Sequence, residues 1–225
     1  MTGGHNHSKM DLVLFGIQGS GKGTQSQLIA ERCSLQIFET GAELRRLASE
    51  DSELGKKVKS IIEAGNLVPT EVVMEIIANF LKNLPAGKSA LFDGIPRSDD
   101  QQKLFDELML HEGRTFTGLL IELTEAEAVK RLTTRRMCPT CKTIYPAMFT
   151  AEACEKDGST LITRQDDTPD AIRVRLDTFL QKTVPVIEAY KAQGKMLVVK
   201  GEQPIEGVTK DIIEVLNPHF PCEVK

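Results

Sequence analysis

Residues 16–24 read Gly-Ile-Gln-Gly-Ser-Gly-Lys-Gly-Thr, with the apolar run Leu12-Val13-Leu14-Phe15 before them and the helix-like Gln25-Ser26-Gln27-Leu28-Ile29-Ala30 after. The order strand, glycine loop, helix restricts the fold more than any other stretch of the chain. An unbroken apolar run that passes through a tight turn into a helix suits a parallel sheet buried on both faces. Glycines let the backbone turn its amide hydrogens inward, the following helix offers its positive end, and a lysine adds a mobile cation. Gly19, Ser20, Gly21, Lys22, Gly23 and Thr24 are therefore candidate phosphate ligands. The general pattern has Ser or Thr directly after the lysine; here Gly23 intervenes and the hydroxyl arrives at Thr24.

The rest of the chain reads as an alternation of strands and helices. Strands are expected at 12–17, 89–93, 116–123 and 195–200, and a helix at 22–33. Three helical stretches without an intervening strand follow at 41–49, 53–64 and 70–84, the last two separated by a turn with Pro69 near a helix start. Thr124-Glu125-Ala126-Glu127 has capping-box spacing and opens a helix to about residue 136. Thr168-Pro169 starts a long helix to about 193, and 205–216 closes the pattern. The expected fold class is α/β: a parallel sheet with helices on both faces, in one domain over 11–217. Two insertions interrupt it, a helical lobe at 40–84 and a small lid at 137–168. Tails are expected at 1–10 and 218–225; His5 and His7 lie in the first, read as a flexible tail rather than a metal site.

The 225 residues, 40% of them hydrophobic, suffice for one sizeable core. A net charge of −4 argues against general nucleic-acid binding while permitting a local basic site. No stretch approaches the roughly 18 apolar residues of a membrane span, so a cytoplasmic protein is expected.

Asp93-Gly94-Ile95-Pro96-Arg97 follows the second expected strand and places a carboxylate at the carboxyl end of the sheet, where open α/β folds bind ligands. Asp93 there can hold magnesium or its waters. Together with the glycine loop, this segment resembles the Asp-Gly-Phe-Pro-Arg motif of the nucleoside monophosphate kinases, above all the adenylate kinases. Thr40-Gly41-x-x-Leu44-Arg45 is similar to that family's Thr-Gly-Asp-Met-Leu-Arg. The resemblance implies that Arg45 and Arg97 contact an acceptor phosphate. It further implies that Thr40, Asn66, Leu67, Val68, Gly94, Ile95 and Pro96 form the AMP pocket, and that Gln101 reads the adenine edge. Departures from the family are Gln18 for Pro, Ala42 and Glu43 for Asp and Met, Ile95 for Phe, and Asp100 for Pro.

Arg131 and Arg135 lie one helical turn apart, and Arg164 and Arg175 flank the far end of the second insertion. Arg-x-x-x-Arg-Arg and Thr-Arg-x-Asp-Asp resemble the adenylate kinase pattern, which would converge these guanidiniums with Arg45 and Arg97 on one cleft. Phosphoryl transfer passes through a loose transition state and needs positioning and charge stabilisation rather than a covalent nucleophile. The implied reaction is ATP plus AMP giving two ADP with Mg2+, by Lys22, Asp93, Arg97, Arg131, Arg135, Arg164 and Arg175. Arg135, Ile144, Tyr145 and the backbone near Gln203 would flank the donor nucleotide, and the two insertions would close over the site. A monomer acting on ATP, AMP and ADP, without nucleic acid or membrane, is expected. The loop does not read the donor base, so a GTP-using kinase remains an alternative, as do a pyrimidine monophosphate kinase and a sensor that binds ATP without turnover.

Cys138-Pro-Thr-Cys141 and, after twelve intervening residues, Cys154-Glu-Lys-Asp157 give two Cys-x-x-ligand knuckles. This spacing suits a closed structural Zn2+ site of three thiolates and a carboxylate, a pattern also found in the lids of some adenylate kinases. Cys33 is expected in the core, and Cys222 has no partner evident in sequence.

Overall fold

The computed structural model describes residues 9–145, 149–164 and 167–222. The histidine-bearing segment of the expected first tail, and residues 223–225 of the second, lie outside these.

Five parallel strands form one sheet in the order β2-β3-β1-β4-β7. They are β1 (Lys9–Phe15), β2 (Gln36–Glu39), β3 (Ala90–Asp93), β4 (Arg114–Glu122) and β7 (Met196–Lys200). Helix α1 (Lys22–Arg32) follows the glycine loop. Helices α2 (Thr40–Ala48), α3 (Glu53–Glu63) and α4 (Thr70–Asn83) occupy the first expected insertion. α5 (Asp99–His111) leads into β4, and α6 (Glu125–Thr134) follows it, capped by the Thr124 hydroxyl. A two-stranded antiparallel hairpin, β5 (Arg136–Met137) with β6 (Ile144–Tyr145), opens the second insertion. After it come α7 (Pro169–Thr178), a π turn (Phe179–Thr183), α8 (Val184–Ala192) and, past β7, α9 (Ile205–Leu216).

Alternation along β1 sends Val13 and Phe15 to one face of the sheet and Leu12 and Leu14 to the other, and all four are buried. On the first face they meet Ile77 of α4, Phe105 and Met109 of α5, and Ile187 and Tyr190 of α8. On the second they meet Ile29 of α1 and Ile212 and Leu216 of α9. A strand covered on both sides has no polar face, so β1 reads as a continuous apolar run.

Four elements differ from expectation. β1 begins at Lys9, ahead of the run, because Asp11 is buried without being apolar: its carboxylate accepts two hydrogen bonds from Arg114, at 2.6 and 2.5 Å, and one at 2.7 Å from the Ala90 amide. That pair ties the starts of β1, β3 and β4 together. β2 and α5 are additional, β2 because four residues, Gln-Ile-Phe-Glu, give too short a pattern, α5 because Leu104, Phe105, Leu108 and Met109 are diluted among charges. The long helix expected after residue 168 is interrupted by the π turn.

The structure also corrects the expectation for Cys222, which forms a disulfide with Cys33 across 189 residues of sequence. No local spacing announces that bond. It arises because α1 and α9 pack side by side, the Gln25 amide donating to Ile205 O at 3.0 Å and accepting from the Thr209 hydroxyl at 2.8 Å. Among the described residues no helix is long and apolar enough to cross a membrane.

Candidate functional site

β1 is hydrogen-bonded to β3 on one side and β4 on the other, so chain connections leave its carboxyl end in opposite directions and open a crevice there. A cleft of about 3060 Å³ occupies this position. Its floor is the glycine loop, with Gly19 to Thr24 all on the lining. Gly16 starts the loop at φ +153°, where a Cβ would lie 2.5 Å from Ser20 Oγ and 2.8 Å from Ile121 O, so a side chain there would displace the loop. Lys22 curls back and donates to Gly16 O at 2.6 Å and Ile17 O at 3.1 Å. Burial pushes its ammonium down to about 8; Asp93 opposes this, and Arg97, Arg135 and Arg175 add to it. Gln18 Oε1 and Ser20 Oγ are buried at the loop without a hydrogen-bond partner.

The end of β3 delivers Asp93 to the same cleft. Burial raises its carboxyl pKa above the ordinary value, against the pull of Lys22, Arg97 and Arg45. Gly94 then turns the chain at φ +85°, and a Cβ there would meet the Arg97 guanidinium at 2.5 Å. A cis Ile95-Pro96 bond follows. Arg97 Nε donates to Gly94 O at 2.7 Å, and its backbone amide donates to Gln101 Oε1 at 2.8 Å. Burial holds the Arg97 pKa below its usual value, with Asp93 opposing. Thr40, Arg45, Asn66, Leu67, Val68, Gly94 and Gln101 line the same region. Thr40 Oγ1 is buried and unpartnered. Ile95 and Pro96 do not reach the lining; Ile95 is 1% exposed and packs in the core.

All six expected arginines, at 45, 97, 131, 135, 164 and 175, line the cleft. Asp167, to which the sequence reading gives no role, organises two of them. Its buried carboxylate accepts from Arg135 at 2.8 and 2.6 Å and from Arg175 at 2.7 Å. Burial, with Arg164 beside it, holds the Arg135 pKa below the usual range, while Asp167 opposes. Arg131 is held by Glu127 at 2.9 Å and by Gly201 O at 3.1 Å. The Thr-Arg-x-Asp-Asp motif contained the signal for Asp167, but its partners lie 32 and 8 residues away.

In the second insertion, one ligand atom each from Cys138, Cys141, Cys154 and Asp157 lies within 4.8 Å of the others, the compactness a tetrahedral ion needs. Cys138 Sγ accepts from the Thr140 and Cys141 amides, both at 3.3 Å, as suits a thiolate at the head of a knuckle. Three soft thiolates and one carboxylate complete a tetrahedral set, so the cluster can bind zinc but leaves no protein-free position for catalysis. Tyr145, 5% exposed, donates to Cys154 Sγ at 3.2 Å while another part of it lines the cleft beside Ile144. Gln203 also lines the cleft, its amide donating to Asp211 at 2.8 Å and Lys200 O at 3.0 Å.

A family model described as adenylate kinase matches residues 14–195. The chain is similar to the adenylate kinase of Staphylococcus aureus, with 34% identity over 213 residues, 92% of this chain and 99% of that protein. Adenylate kinases of Oceanobacillus iheyensis and Staphylococcus epidermidis are 35% and 33% identical, with the same coverage.

Proposed function

This chain belongs to the adenylate kinase family, and on that premise we propose how its residues divide the work of moving a phosphoryl group. The reaction is the reversible transfer from ATP to AMP that gives two ADP, with Mg2+ accompanying the nucleotide. The observation that carries the division is the convergence of Lys22 and six arginines on one cleft of an acidic protein.

The glycine loop and the amino end of α1 receive the donor phosphates, and Lys22 leaves the Gly16 and Ile17 carbonyls for them. Arg45 and Arg97 hold the acceptor phosphate; Thr40, Gln101 and residues 66–68 surround its base. Arg131, Arg135, Arg164 and Arg175 neutralise charge on the transferring group, with the Asp167 carboxylate bridging Arg135 and Arg175. The hydroxyl of Thr24 and the carboxylate of Asp93 are hard oxygen donors suited to magnesium, which supplies further charge neutralisation when bound. Ile144, Tyr145 and Gln203 flank the donor nucleoside. Residues 40–84 act as the acceptor lobe and 137–168 as the lid, and closure of both keeps water from competing as acceptor. We further read the protein as a monomer acting on free nucleotides, in keeping with its net negative charge.

Separating the products formed from AMP, CMP, UMP and GMP, with ATP or GTP as donor, tests substrate choice; AMP with ATP should dominate. Arg97→Ala should leave binding of an ATP analogue within about twofold of the parent while lowering kcat/KM for AMP by about 10²-fold or more. Unchanged turnover in that variant contradicts the acceptor assignment.

A further inference from the structure

The loop carrying Arg97 is held at three points, and one of them comes from far away. Arg97 Nε on Gly94 O and the Arg97 amide on Gln101 Oε1 are local, three and four residues apart. Such bonds fix the loop's shape but travel with it. The third is the Thr183 hydroxyl, which donates to the Arg97 carbonyl at 3.0 Å across 86 residues of sequence. It alone among these ties the loop to an element distant in sequence.

Thr183 is 5% exposed and borders the cleft at the end of the π turn. A threonine inside a helix ordinarily bonds back to the carbonyl four residues before it. Here that carbonyl, Phe179 O, receives the Val184 amide through the wide turn. Pro185, next in line, has no amide to offer. The Thr183 hydroxyl donates instead to the acceptor loop, in keeping with the frequent occurrence of π turns at functional sites.

We infer that Thr183 is a positioning residue for the acceptor phosphate: through the Arg97 carbonyl it fixes the backbone from which the Arg97 guanidinium extends. This rests on the reading of Arg97 as acceptor-phosphate ligand. Losing the donor leaves a carbonyl short of a partner and frees the Gly94–Gln101 segment to shift against the sheet. Acceptor binding should suffer while the donor side, built on the glycine loop, does not.

The experiment is steady-state kinetics of Thr183→Val, which keeps the shape and removes the donor, beside Thr183→Ser, which keeps the donor. Thr183→Ala serves as a second donor-free variant should the valine pack badly, and thermal midpoints are recorded for all. The expected result is a rise of about fivefold to tenfold in KM for AMP in Val and Ala. KM for ATP should be unchanged, and Ser should lie within about twofold of the parent. An unchanged KM for AMP, an equal rise for both nucleotides, or failure of Ser to restore the parent value overturns the inference. Arg97→Lys separates the two levels. If it leaves KM for AMP alone, the acceptor reading of Arg97 itself fails; if it raises KM for AMP while Thr183→Val does not, only the role of Thr183 fails.

Discussion

Lys22 has a pKa of about 8 in the free protein because burial disfavours its charge. Phosphate oxygens placed beside it favour the charged form and raise that value. Between the two pKa values the complex therefore carries more protons than the free protein, so affinity falls as pH rises past about 8. Calorimetric titration of a non-hydrolysable ATP analogue should show proton uptake on binding there, with a loss approaching about tenfold per pH unit. Lys22→Met should bind weakly and without that slope. The residues of the candidate site that were legible in sequence are those whose spacing is local: the glycine loop, Asp93 and Arg97 after a strand, Arg131 and Arg135 one turn apart. Asp167 and Thr183 were not, since each acquires its partners only when distant segments meet.

At the scale of elements, the second insertion has little apolar support of its own. Its own buried cluster is Cys138, Tyr145, Cys154 and Leu161, two of them metal-ligand candidates. So small a core cannot offset the ordering of some thirty residues, and a bound ion is the natural substitute. Protein purified without chelator should carry about one zinc per chain. Stripping the metal should expose the segment between β5 and α7 to protease while the five-stranded sheet survives, as read by limited proteolysis with zinc analysis. Strands with long apolar runs were readable because burial on both faces leaves no alternation to confuse them. β2 was hidden by its four-residue length, and the start of β1 by the buried Asp11, whose carboxylate is satisfied by Arg114 and the Ala90 amide. The π turn has no periodic signature of its own; Pro185 in an otherwise helical stretch was the one mark it left.

For the whole molecule, the two faces of the sheet carry different duties. One packs α4, α5 and α8, and Phe38, Phe80 and Phe92, with ring centroids 5.1 to 6.0 Å apart, join α4 to β2 and β3. The other packs α1 against α9 and is closed covalently by Cys33 and Cys222. A bond spanning 189 residues removes much of the unfolded chain's freedom. Reduction, or Cys222→Ser, should lower stability by about 2–4 kcal/mol in urea unfolding. The same bond redirects mechanical load. Tension applied to the carboxyl terminus enters at Cys33 and passes along α1, so α9 is shielded from peeling, and the helix that bears the pull is the one whose opposite end meets the glycine loop.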